Sequence, residues 1–491
     1  MNTPRLNTRQ ELSSGVATPG YTPQQHAPGI VHIGVGAFHK AHQAVYTDDA
    51  LAAEGGDWRI LGVSLRSDTA AEELNPQDGL FTVIERGNEP GSARIVGSIA
   101  RVISASRDHK SVIAALVDPA IRIVSLTVTE KGYGIDRKTG GADTSHPAVA
   151  ADLATPDAPG GVLGLIVAAL ATRRKNDVAP FTVLSCDNLP DNGAMLRGGV
   201  IDFATRKDPG LGDWISRNVA FPCSMVDRIT PARTPATLAE ATRLTGVEDQ
   251  AAIETEPFRQ WVIEDNFPTG RPAWEAGGAI FVQDVAPYEQ MKLRMLNGTH
   301  SMLAYAGFLS GHRLVCDVMA DTDMAALVRR HLLAAAATLD PLPGINIERY
   351  VADILSRFSN PNIAHETYQI AMDGTEKLPQ RIFEPALVAQ GQGQPLRPYA
   401  FATAAWMRYC SGRTDGGTPY ALRDPKQQEI TEILRNCAVP EKLADRLFNL
   451  KGLFPKKLLS DRNWTTQVTS ILSVITGKGM REAVHQESLS A

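Results

Sequence analysis

The stretch that decides the fold is Gly29-Ile30-Val31-His32-Ile33-Gly34-Val35-Gly36-Ala37-Phe38, a short apolar run followed by closely spaced glycines. An apolar run of this length that ends in glycine predicts a buried strand, a tight turn and the start of a helix. A second strand is predicted soon afterwards, at residues 59–65. A strand, a helix and a further strand in this order are typical of a parallel sheet.

The same pattern continues to about residue 280. Further strand-like runs lie at residues 81–85, 121–128 and 181–184, and the last two are rich in the residues of strands buried on both faces. Residues 161–173 have helical spacing and a basic end, which suits a crossover helix. We therefore predict an α/β domain at 29–285, preceded by a polar N-terminal extension at residues 1–28.

The periodicity then changes to consecutive helical patterns with few strand candidates. Helices are predicted at residues 289–309, 324–339, 347–358, 399–409, 427–437, 441–450 and 464–476, and the most loop-like stretch is 390–398. The sequence thus predicts a mainly α-helical domain at residues 286–491.

The composition restricts the class of protein. The 491 residues carry 49 basic and 54 acidic side chains, and the formal charge of -5 offers no general basic field for a nucleic acid or an anionic membrane. Five cysteines, an odd number without a C-x-x-C pair, argue against a disulfide framework and a zinc ribbon. Neither a signal-peptide core nor a membrane-spanning apolar stretch is present in the sequence. We expect a cytoplasmic enzyme or binding protein.

The glycines after the first strand predict a dinucleotide site. Gly34 and Gly36 let the backbone approach a pyrophosphate, although the third glycine of the usual fingerprint is absent and a turn without ligand is the alternative. Asp68 lies just past the second strand, where its carboxylate could accept hydrogen bonds from the ribose hydroxyls of NAD. The same carboxylate would repel the 2′-phosphate of NADP. Because Arg66 could tolerate that phosphate, NAD is favoured and NADP stays possible.

His39 and His42 form an H-x-x-H pair that resembles a metal site. No Cys, Asp or Glu at ligand spacing completes the set locally, and no HExxH occurs in the chain. We therefore expect these histidines to pack or hydrogen-bond near the glycine turn, and we expect no metal.

Two further segments carry candidate chemistry. Asn188 directly follows the strand at 181–184, where ligands bind in open α/β sheets, whereas an Asn-Gly turn at 192–193 explains the end of that segment without a ligand.

In a regular helix Lys292 and His300 share one side, with Asn297 about 60° from His300. Lysine is a general base only when burial or a nearby cation lowers its pKa, and an amide and an imidazole could then donate to an alkoxide. A solvated helix face is the alternative.

Several separated motifs resemble one family. They are Ile33-Gly34-Val35-Gly36-Ala37-Phe38-His39-Lys40, Thr127-Val128-Thr129-Glu130-Lys131-Gly132, Ser185-Cys186-Asp187-Asn188, Met225-Val226-Asp227-Arg228, Glu256-Pro257-Phe258, Gly270-Arg271-Pro272 and Lys292 to His300. From about residue 29 to 480 the chain resembles the polyol-specific long-chain dehydrogenases, which include mannitol 2-dehydrogenase and the hexuronate reductases. The resemblance implies an NAD(P)-dependent, metal-independent secondary alcohol dehydrogenase. It also implies an α/β Rossmann-type dinucleotide-binding domain followed by a mainly α-helical C-terminal domain, with the active site in the cleft between them.

The resemblance also implies roles for individual residues. Lys292 matches the catalytic acid/base, and Asn188 and Asn297 match the amides that hold the reacting oxygen. His300 and Asp227 match positions that contact the substrate or support that network. The other matched positions are the cofactor turn at Gly34, Gly36, Ala37 and Phe38, and the acidic residues Glu130 and Glu289 of the proton route.

The substrate prediction depends on three segments. Residues 256–267, 357–361 and 369–381 look closer to fructuronate reductases, which interconvert D-fructuronate and D-mannonate, than to mannitol dehydrogenases. A uronate carboxylate needs a cation, which Lys377 or Arg381 could supply, with a structural role for either as the alternative. Mannitol 2-dehydrogenase, arabinitol dehydrogenase and, more remotely, an inactive NAD-binding sensor are the alternatives. We expect a sugar acid or polyol as the small-molecule partner, and a monomer or weak homo-oligomer.

Overall fold

The apolar run at the start of the pattern forms the central strand of a parallel sheet. The computed structural model describes residues 3–87, 91–155, 158–435 and 439–489. Within them the chain divides into a first unit, Met1–Ala286, and a second unit, Pro287–Ala491. The strands of the first unit are β1 (Pro28–Ile33), β2 (Arg59–Ser64), β3 (Phe81–Glu85), β4 (Ser92–Val96), β5 (Ile99–Ser104), β6 (Ile123–Leu126), β7 (Thr182–Ser185), β8 (Ser224–Asp227), β9 (Ile253–Thr255), β10 (Gln260–Glu264) and β11 (Ile280–Val282).

These strands form three sheets. The main sheet has the order β5-β2-β1-β6-β7 with every neighbouring pair parallel, and the smaller sheets have the orders β11-β10-β8 and β4-β3-β9. The helices of the first unit are α1 (Ala37–Ala41), α2 (Gln43–Glu54), α3 (Thr69–Leu74), α4 (His109–Val117), α5 (Pro147–Ala154), α6 (Val162–Lys175), α7 (Asn192–Lys207), α8 (Pro209–Asn218) and α9 (Pro235–Thr245). Single 3-10 turns lie at Pro23–Gln25, Asn75–Gln77, Glu130–Gly132 and Trp274–Gly277.

Both faces of the main sheet are covered. Val31 and Ile33 of β1 pack into a core with the apolar side chains of α4, α6 and α7, whereas Ile30 packs into a second core that contains Trp261 and Trp274. A strand that is buried on both faces needs apolar side chains in both directions, which explains the nearly continuous apolar runs in the sequence. The α/β Rossmann-type prediction is confirmed.

The second unit is helical. Its elements are α10 (Ala286–Met291), a π-helical segment (Lys292–Asn297), α11 (Gly298–Leu309), α12 (Val315–Ala320), α13 (Thr322–Ala336), α14 (Ile347–Phe358), α15 (Thr367–Ile370), α16 (Gly374–Leu378), a further π-helical segment (Pro379–Phe383), α17 (Glu384–Gly391), α18 (Arg397–Tyr409), α19 (Gln427–Leu434), α20 (Pro440–Phe448), α21 (Lys456–Leu459), α22 (Arg462–Lys478) and α23 (Met480–Leu489). We call Lys292–Asn297 the first π segment and Pro379–Phe383 the second π segment.

Several predicted boundaries were wrong. Strand β1 ends at Ile33 and not with the apolar run at Val35, because Gly34 takes a left-handed backbone conformation and leaves the ladder. The predicted helix at 289–309 is interrupted by the first π segment. The stretch 390–398 is only partly a loop, because α18 starts at Arg397 with a proline in its first turn. The helix predicted at 427–437 ends at Leu434, and Cys437 lies outside the described residues.

The polar N-terminal segment is attached to the first unit by specific contacts. Arg5 forms a parallel bridge with Glu248, and Ala17 forms another with Arg94 of β4. Leu6 is buried in a small apolar cluster with Leu80 and other residues. The bridge at Ala17 covers the free edge of β4, which would otherwise expose unpaired backbone groups. Across the described ranges, none of the helices combines the length and apolar character that crossing a membrane requires.

Arg228 joins four parts of the first unit. Its side chain is fully buried and donates to the carbonyl of Ala41 at 2.5 Å, to the carbonyl of Glu256 at 3.0 and 3.1 Å, and to the carboxylate of Glu85 at 2.6 Å. A buried guanidinium needs such partners, since an unpaired charge or carbonyl in the interior is costly.

Replacing Arg228 with Ala should lower the free energy of unfolding by about 3 kcal/mol or more, because it leaves a carboxylate and two carbonyls without their donor. The matched control is Arg217→Ala, which removes an exposed pair with Asp213 and should cost about 0.5 kcal/mol or less. Urea unfolding curves of both variants test this. Equal midpoints for the two variants would contradict the role of Arg228.

Candidate functional site

The turn after β1 contains two glycines, Gly34 and Gly36. Gly34 has a φ of 102°, and a Cβ at this position would overlap the carbonyl oxygen of Thr127. Gly34 N–H donates to the carbonyl of Val63 at 2.9 Å, which fixes the turn beside β2. Gly36 precedes α1, and a Cβ added there would lie 4.0 Å from its nearest neighbour among the described residues, the carbonyl oxygen of Gly34. The backbone at Gly36, Ala37 and Phe38 is therefore accessible to a phosphate group.

A buried polar network lies directly behind this turn. His32 of β1 contacts the hydroxyl of Ser125 at 2.8 Å and the hydroxyl of Thr127 at 2.8 Å. Ser125 donates to the amide oxygen of Gln43, and Thr127 donates to the carbonyl of Gly34 at 2.7 Å. Burial lowers the pKa of His32 to about 3, so the ring is neutral at physiological pH. The network thus ties the glycine turn to β6 and α2.

The H-x-x-H histidines lie in different surroundings. The His39 ring stacks on His32 with centroids 3.4 Å apart, whereas His42 stacks on Phe38 and contacts the carbonyl of Gln260 at 3.0 Å. Burial is the largest cause that lowers the pKa of each. Among the residues that the structure describes, no group of three or more His, Cys, Asp or Glu side chains is arranged to hold a metal ion.

Asp68 lies at the start of α3, after β2. Its carboxylate accepts from the hydroxyls of Ser104 and Ser106 and pairs with Nε of Arg107 at 2.7 Å. Hydrogen bonds from Ser104 and Ser106, together with Arg107, lower the pKa of Asp68, so the carboxylate is ionised. Arg66 lies exposed close by. The sequence did not reveal Arg107, because its position depends on the pairing of β2 with β5.

Asn188 is exposed just beyond β7, and its neighbour Asp187 holds the end of β6. Asp187 accepts from Val128 N–H at 2.9 Å, from Thr129 N–H at 3.3 Å and from the Tyr133 hydroxyl at 2.8 Å. Thr129 has a φ of 64°, a strained conformation for a β-branched residue. The sequence signal for Asp187 was only its place beside Asn188.

The alternative of an Asn-Gly turn at 192–193 is wrong, because both residues lie in a helix. Asn192 opens α7, donates to the carbonyl of Ser224 at 2.7 Å and accepts from Ser224 N–H at 2.9 Å. A Cβ at Gly193 would lie 2.6 Å from the carbonyl oxygen of Phe221, so the glycine allows α7 to pack against that loop.

The remaining candidates of the first unit are acidic. Asp227 is 6% exposed at the end of β8, in register with Gln260 of β10. It therefore lies in a smaller sheet, not at the edge of the main sheet. Glu130 is exposed and pairs with Nε of Arg137 at 2.8 Å. The parallel main sheet brings the turn at Gly34, Asp68 and Asn188 to one edge, since the strands before them all end there.

In the second unit, Lys292 begins the first π segment and Asn297 ends it. Lys292 is 7% exposed, Asn297 is half-buried, and His300 follows in α11 at 8% exposed. Glu289 lies half-buried in α10, one turn before Lys292. The predicted separations at 100° per residue do not hold here, because π-helical i→i+5 bonding widens the turn. The alternative of a solvated face is wrong for Lys292 and His300.

The His300 ring is enclosed by aromatic and cationic groups. It packs 4.3 Å from the ring of Phe358 and 5.2 Å from that of His365. Burial, followed by His365, Arg357 and Arg381, lowers the pKa of His300, so the ring is neutral. Its Nε2 is buried without a hydrogen-bond partner among the described residues. Such a group is available to a ligand hydroxyl.

Lys377 and Arg381 contact different parts of the second unit. Lys377 Nζ donates to the carbonyl of Met372 at 2.6 Å and lies 3.7 Å from the Asp373 carboxylate. Arg381 Nη1 donates to the carbonyl of Asn297 at 3.4 Å and to the Ser301 hydroxyl at 3.2 Å. Burial lowers the pKa of both side chains. Arg294 of the first π segment donates elsewhere, to the carbonyl of Thr338 at 2.9 Å.

Comparisons with known proteins identify both units. The profile of the mannitol dehydrogenase Rossmann domain matches residues 28–276, and that of the mannitol dehydrogenase C-terminal domain matches residues 284–475. D-mannonate oxidoreductase of Escherichia coli (strain K12) is 41% identical over 484 residues, which cover 98% of this chain and 99% of that protein. Mannitol 2-dehydrogenase of Cereibacter sphaeroides is 44% identical over 430 residues, which cover 87% of this chain and 90% of that protein.

A solved structure gives the same result. The ternary complex of Pseudomonas fluorescens mannitol 2-dehydrogenase with NAD and D-mannitol has a TM-score of 0.80 and 37% sequence identity, and the match covers 99% of this chain and 100% of that one.

A substitution at Gly298 tests the contact between the start of α11 and the second π segment. A Cβ at Gly298 would lie 2.6 Å from the carbonyl oxygen of Arg381, so Gly298→Ala should lower the free energy of unfolding by about 1–3 kcal/mol. Gly477→Ala in α22 is the control, since nothing lies within 4 Å of its Cβ and alanine should stabilise that helix by about 0.5–1 kcal/mol. Urea unfolding measures both changes, and a stabilising Gly298→Ala would contradict the close contact.

Proposed function

Because this chain belongs to the mannitol dehydrogenase family of oxidoreductases that act on CH–OH groups, we propose that it interconverts a secondary alcohol and a ketone of a sugar acid with NAD as its cofactor. The preferred reaction is the oxidation of D-mannonate to D-fructuronate and its reversal. The observation that carries the proposal is the grouping of a buried lysine, an amide and a neutral histidine along one stretch of the second unit.

The first unit is proposed to hold the dinucleotide. The glycine turn fits a pyrophosphate, since Gly34 admits no side chain and Gly36 leaves space beside the backbone of Ala37 and Phe38. The ionised Asp68 would accept from the ribose hydroxyls, while Arg66 is the group that would tolerate NADP. Bound NAD supplies the acceptor for a hydride from the substrate. Its use by Pseudomonas fluorescens mannitol 2-dehydrogenase supports this choice.

Lys292 is proposed as the acid/base. In the oxidation, its neutral amine takes the hydroxyl proton while the hydride leaves the carbinol carbon, and in the reduction its ammonium returns that proton. Asn188 and Asn297 hold the reacting oxygen and stabilise the alkoxide character that develops on it. His300 offers its unpartnered Nε2 to a substrate hydroxyl, and Asp227 supports substrate binding. Glu130 and Glu289 are proposed for the proton route.

A sugar acid is preferred to a neutral polyol because cations surround His300. Arg357 and Arg381 both act on this ring electrostatically, whereas the ammonium of Lys377 donates to the carbonyl of Met372. A carboxylate gains a charge-assisted interaction in such a field, whereas a hydroxymethyl group does not. Mannitol 2-dehydrogenase activity on D-mannitol and D-fructose is the second candidate, supported by the 44% identity to the enzyme of Cereibacter sphaeroides.

The choice of nucleotide is tested by Asp68→Ala. The variant should use NADP+ at least about tenfold better relative to NAD+, because the repelling carboxylate is gone and Arg107 is released from it. The ratio of kcat/KM for the two nucleotides measures this. Asp68→Ala combined with Arg107→Ala is the control, and it should gain less for NADP+. An unchanged ratio in the single variant would contradict the role of Asp68.

The substrate is tested by the ratio of kcat/KM with NAD+ for D-mannonate and D-mannitol. We expect a preference of at least about tenfold for D-mannonate, since one charge-assisted hydrogen bond is worth about 1.5–3 kcal/mol. A preference for D-mannitol would replace the first candidate with the second. Binding of NADH without turnover of uronates, ketoses or polyols would instead identify an inactive NAD-binding sensor.

A further inference from the structure

The second π segment touches the start of α11 through its backbone. The carbonyl oxygen of Arg381 lies 2.6 Å from the position that a Cβ on Gly298, the first residue of α11, would take. Any residue other than glycine at this position would force the second π segment away from α11. This contact places the Arg381 side chain beside the junction between the first π segment and α11.

Arg381 directs its donors at that junction. Nη1 donates to the carbonyl of Asn297 at 3.4 Å and to the hydroxyl of Ser301 at 3.2 Å, and Ser301 itself donates to the same carbonyl at 3.1 Å. Asn297 is the last residue of the first π segment, so its carbonyl accepts from two side chains where the helix changes its hydrogen-bond pattern. Arg381 and Ser301 thereby fix the backbone of Asn297.

Arg381 is suited to this role by its charge and its burial. The guanidinium keeps its proton even when it is buried, and its planar donors have fixed directions. Lys377, one turn earlier, directs its ammonium at the carbonyls of Ile370 and Met372 instead. The two cations that the sequence offered for a carboxylate therefore have different contacts, and only Arg381 reaches the first π segment through a hydrogen bond in the described structure.

We propose that Arg381 is a positioning residue that acts through Asn297, rather than the group that binds a substrate carboxylate. The proposal rests on the proposed function, in which the Asn297 amide holds the reacting oxygen. Loss of the Arg381 contacts would let the junction move, and a displacement of about 1 Å in a positioning group can cost about 100-fold in rate. Binding of the substrate would change much less.

The test compares Arg381→Ala, Arg381→Lys and Ser301→Ala with Arg294→Ala, whose guanidinium contacts the carbonyl of Thr338. We expect Arg381→Ala to lower kcat about 10- to 100-fold on D-mannonate and on D-mannitol alike, with KM for D-mannonate changed less than threefold. Arg381→Lys should lower kcat on both substrates, because lysine lacks the planar fork, and Ser301→Ala should lower it several-fold. Arg294→Ala should leave kcat within about twofold.

Three kinetic results would overturn the proposal. A tenfold or larger increase in KM for D-mannonate, with D-mannitol unaffected, would assign Arg381 to the carboxylate. Unchanged kcat in Arg381→Ala would remove it from positioning. If Arg381→Ala does not fold, unchanged kcat in both Arg381→Lys and Ser301→Ala would show that Arg381 has no positioning role.

Hydrogen exchange separates this proposal from the proposed function. Amides of residues 292–301 should exchange faster in Arg381→Lys and Ser301→Ala than in Arg294→Ala. If the unmodified protein turns over neither substrate, the proposed function fails, and faster exchange still supports the contact between Arg381 and Asn297. Unchanged exchange in these variants would overturn the positioning role in either case.

Discussion

Both candidate sites depend on one constraint, which is the close contact of two backbone segments. Such a contact is possible only at glycine, because any other residue would place a side chain between the segments. In the first unit it acts at Gly34, where the turn after β1 lies against the carbonyl of Thr127. In the second unit it acts at Gly298, where the start of α11 lies against the carbonyl of Arg381 in the second π segment. At Gly34 the strand ends in a left-handed backbone conformation, and at Gly298 the first π segment gives way to α11. The sites are therefore local departures from regular structure that glycine makes possible.

Buried polar networks hold these departures in place. His32 and Thr127 fix the carbonyl of Gly34, Asp187 fixes the amides of Val128 and Thr129, and Arg381 fixes the carbonyl of Asn297. Each network satisfies backbone groups that a regular strand or helix would have paired. The net charge of -5 offers no general attraction for the anionic substrate that we propose. Arg357 and Arg381 near His300 would provide that attraction locally.

The sequence predicted the regular parts of the fold well. The apolar runs that became β1, β2, β6 and β7 were recognisable because strands buried on both faces carry few polar residues. Helix α14, Ile347–Phe358, was predicted to the residue, since its apolar positions repeat with helical period. Strands β4, β5 and β8 to β11 were missed, because most of them are interrupted or bounded by polar and charged side chains, such as Arg94, Arg101 and Glu254, and show no long apolar run.

The candidate site was less predictable for a physical reason. The motifs gave Lys292, Asn297 and His300, but not the π-helical turn that carries Lys292 and Asn297. The contacts of Arg381 with Asn297 and Gly298 were not predictable either, because more than 80 residues separate them in the sequence. The contacts of Asp68 with Ser104, Ser106 and Arg107 likewise require that β5 pairs with β2. Local patterns identify residues that lie on one element, whereas these contacts arise from tertiary structure.

We propose that the Lys292 amine transfers the proton of the reacting hydroxyl group. This role is tested by the turnover of Lys292→Ala with NAD+ and D-mannonate in the presence of added primary amines. We expect turnover to fall by several orders of magnitude in the variant, and small amines to restore part of it in proportion to their concentration and basicity. Near-normal turnover of Lys292→Ala without any amine would contradict the claim.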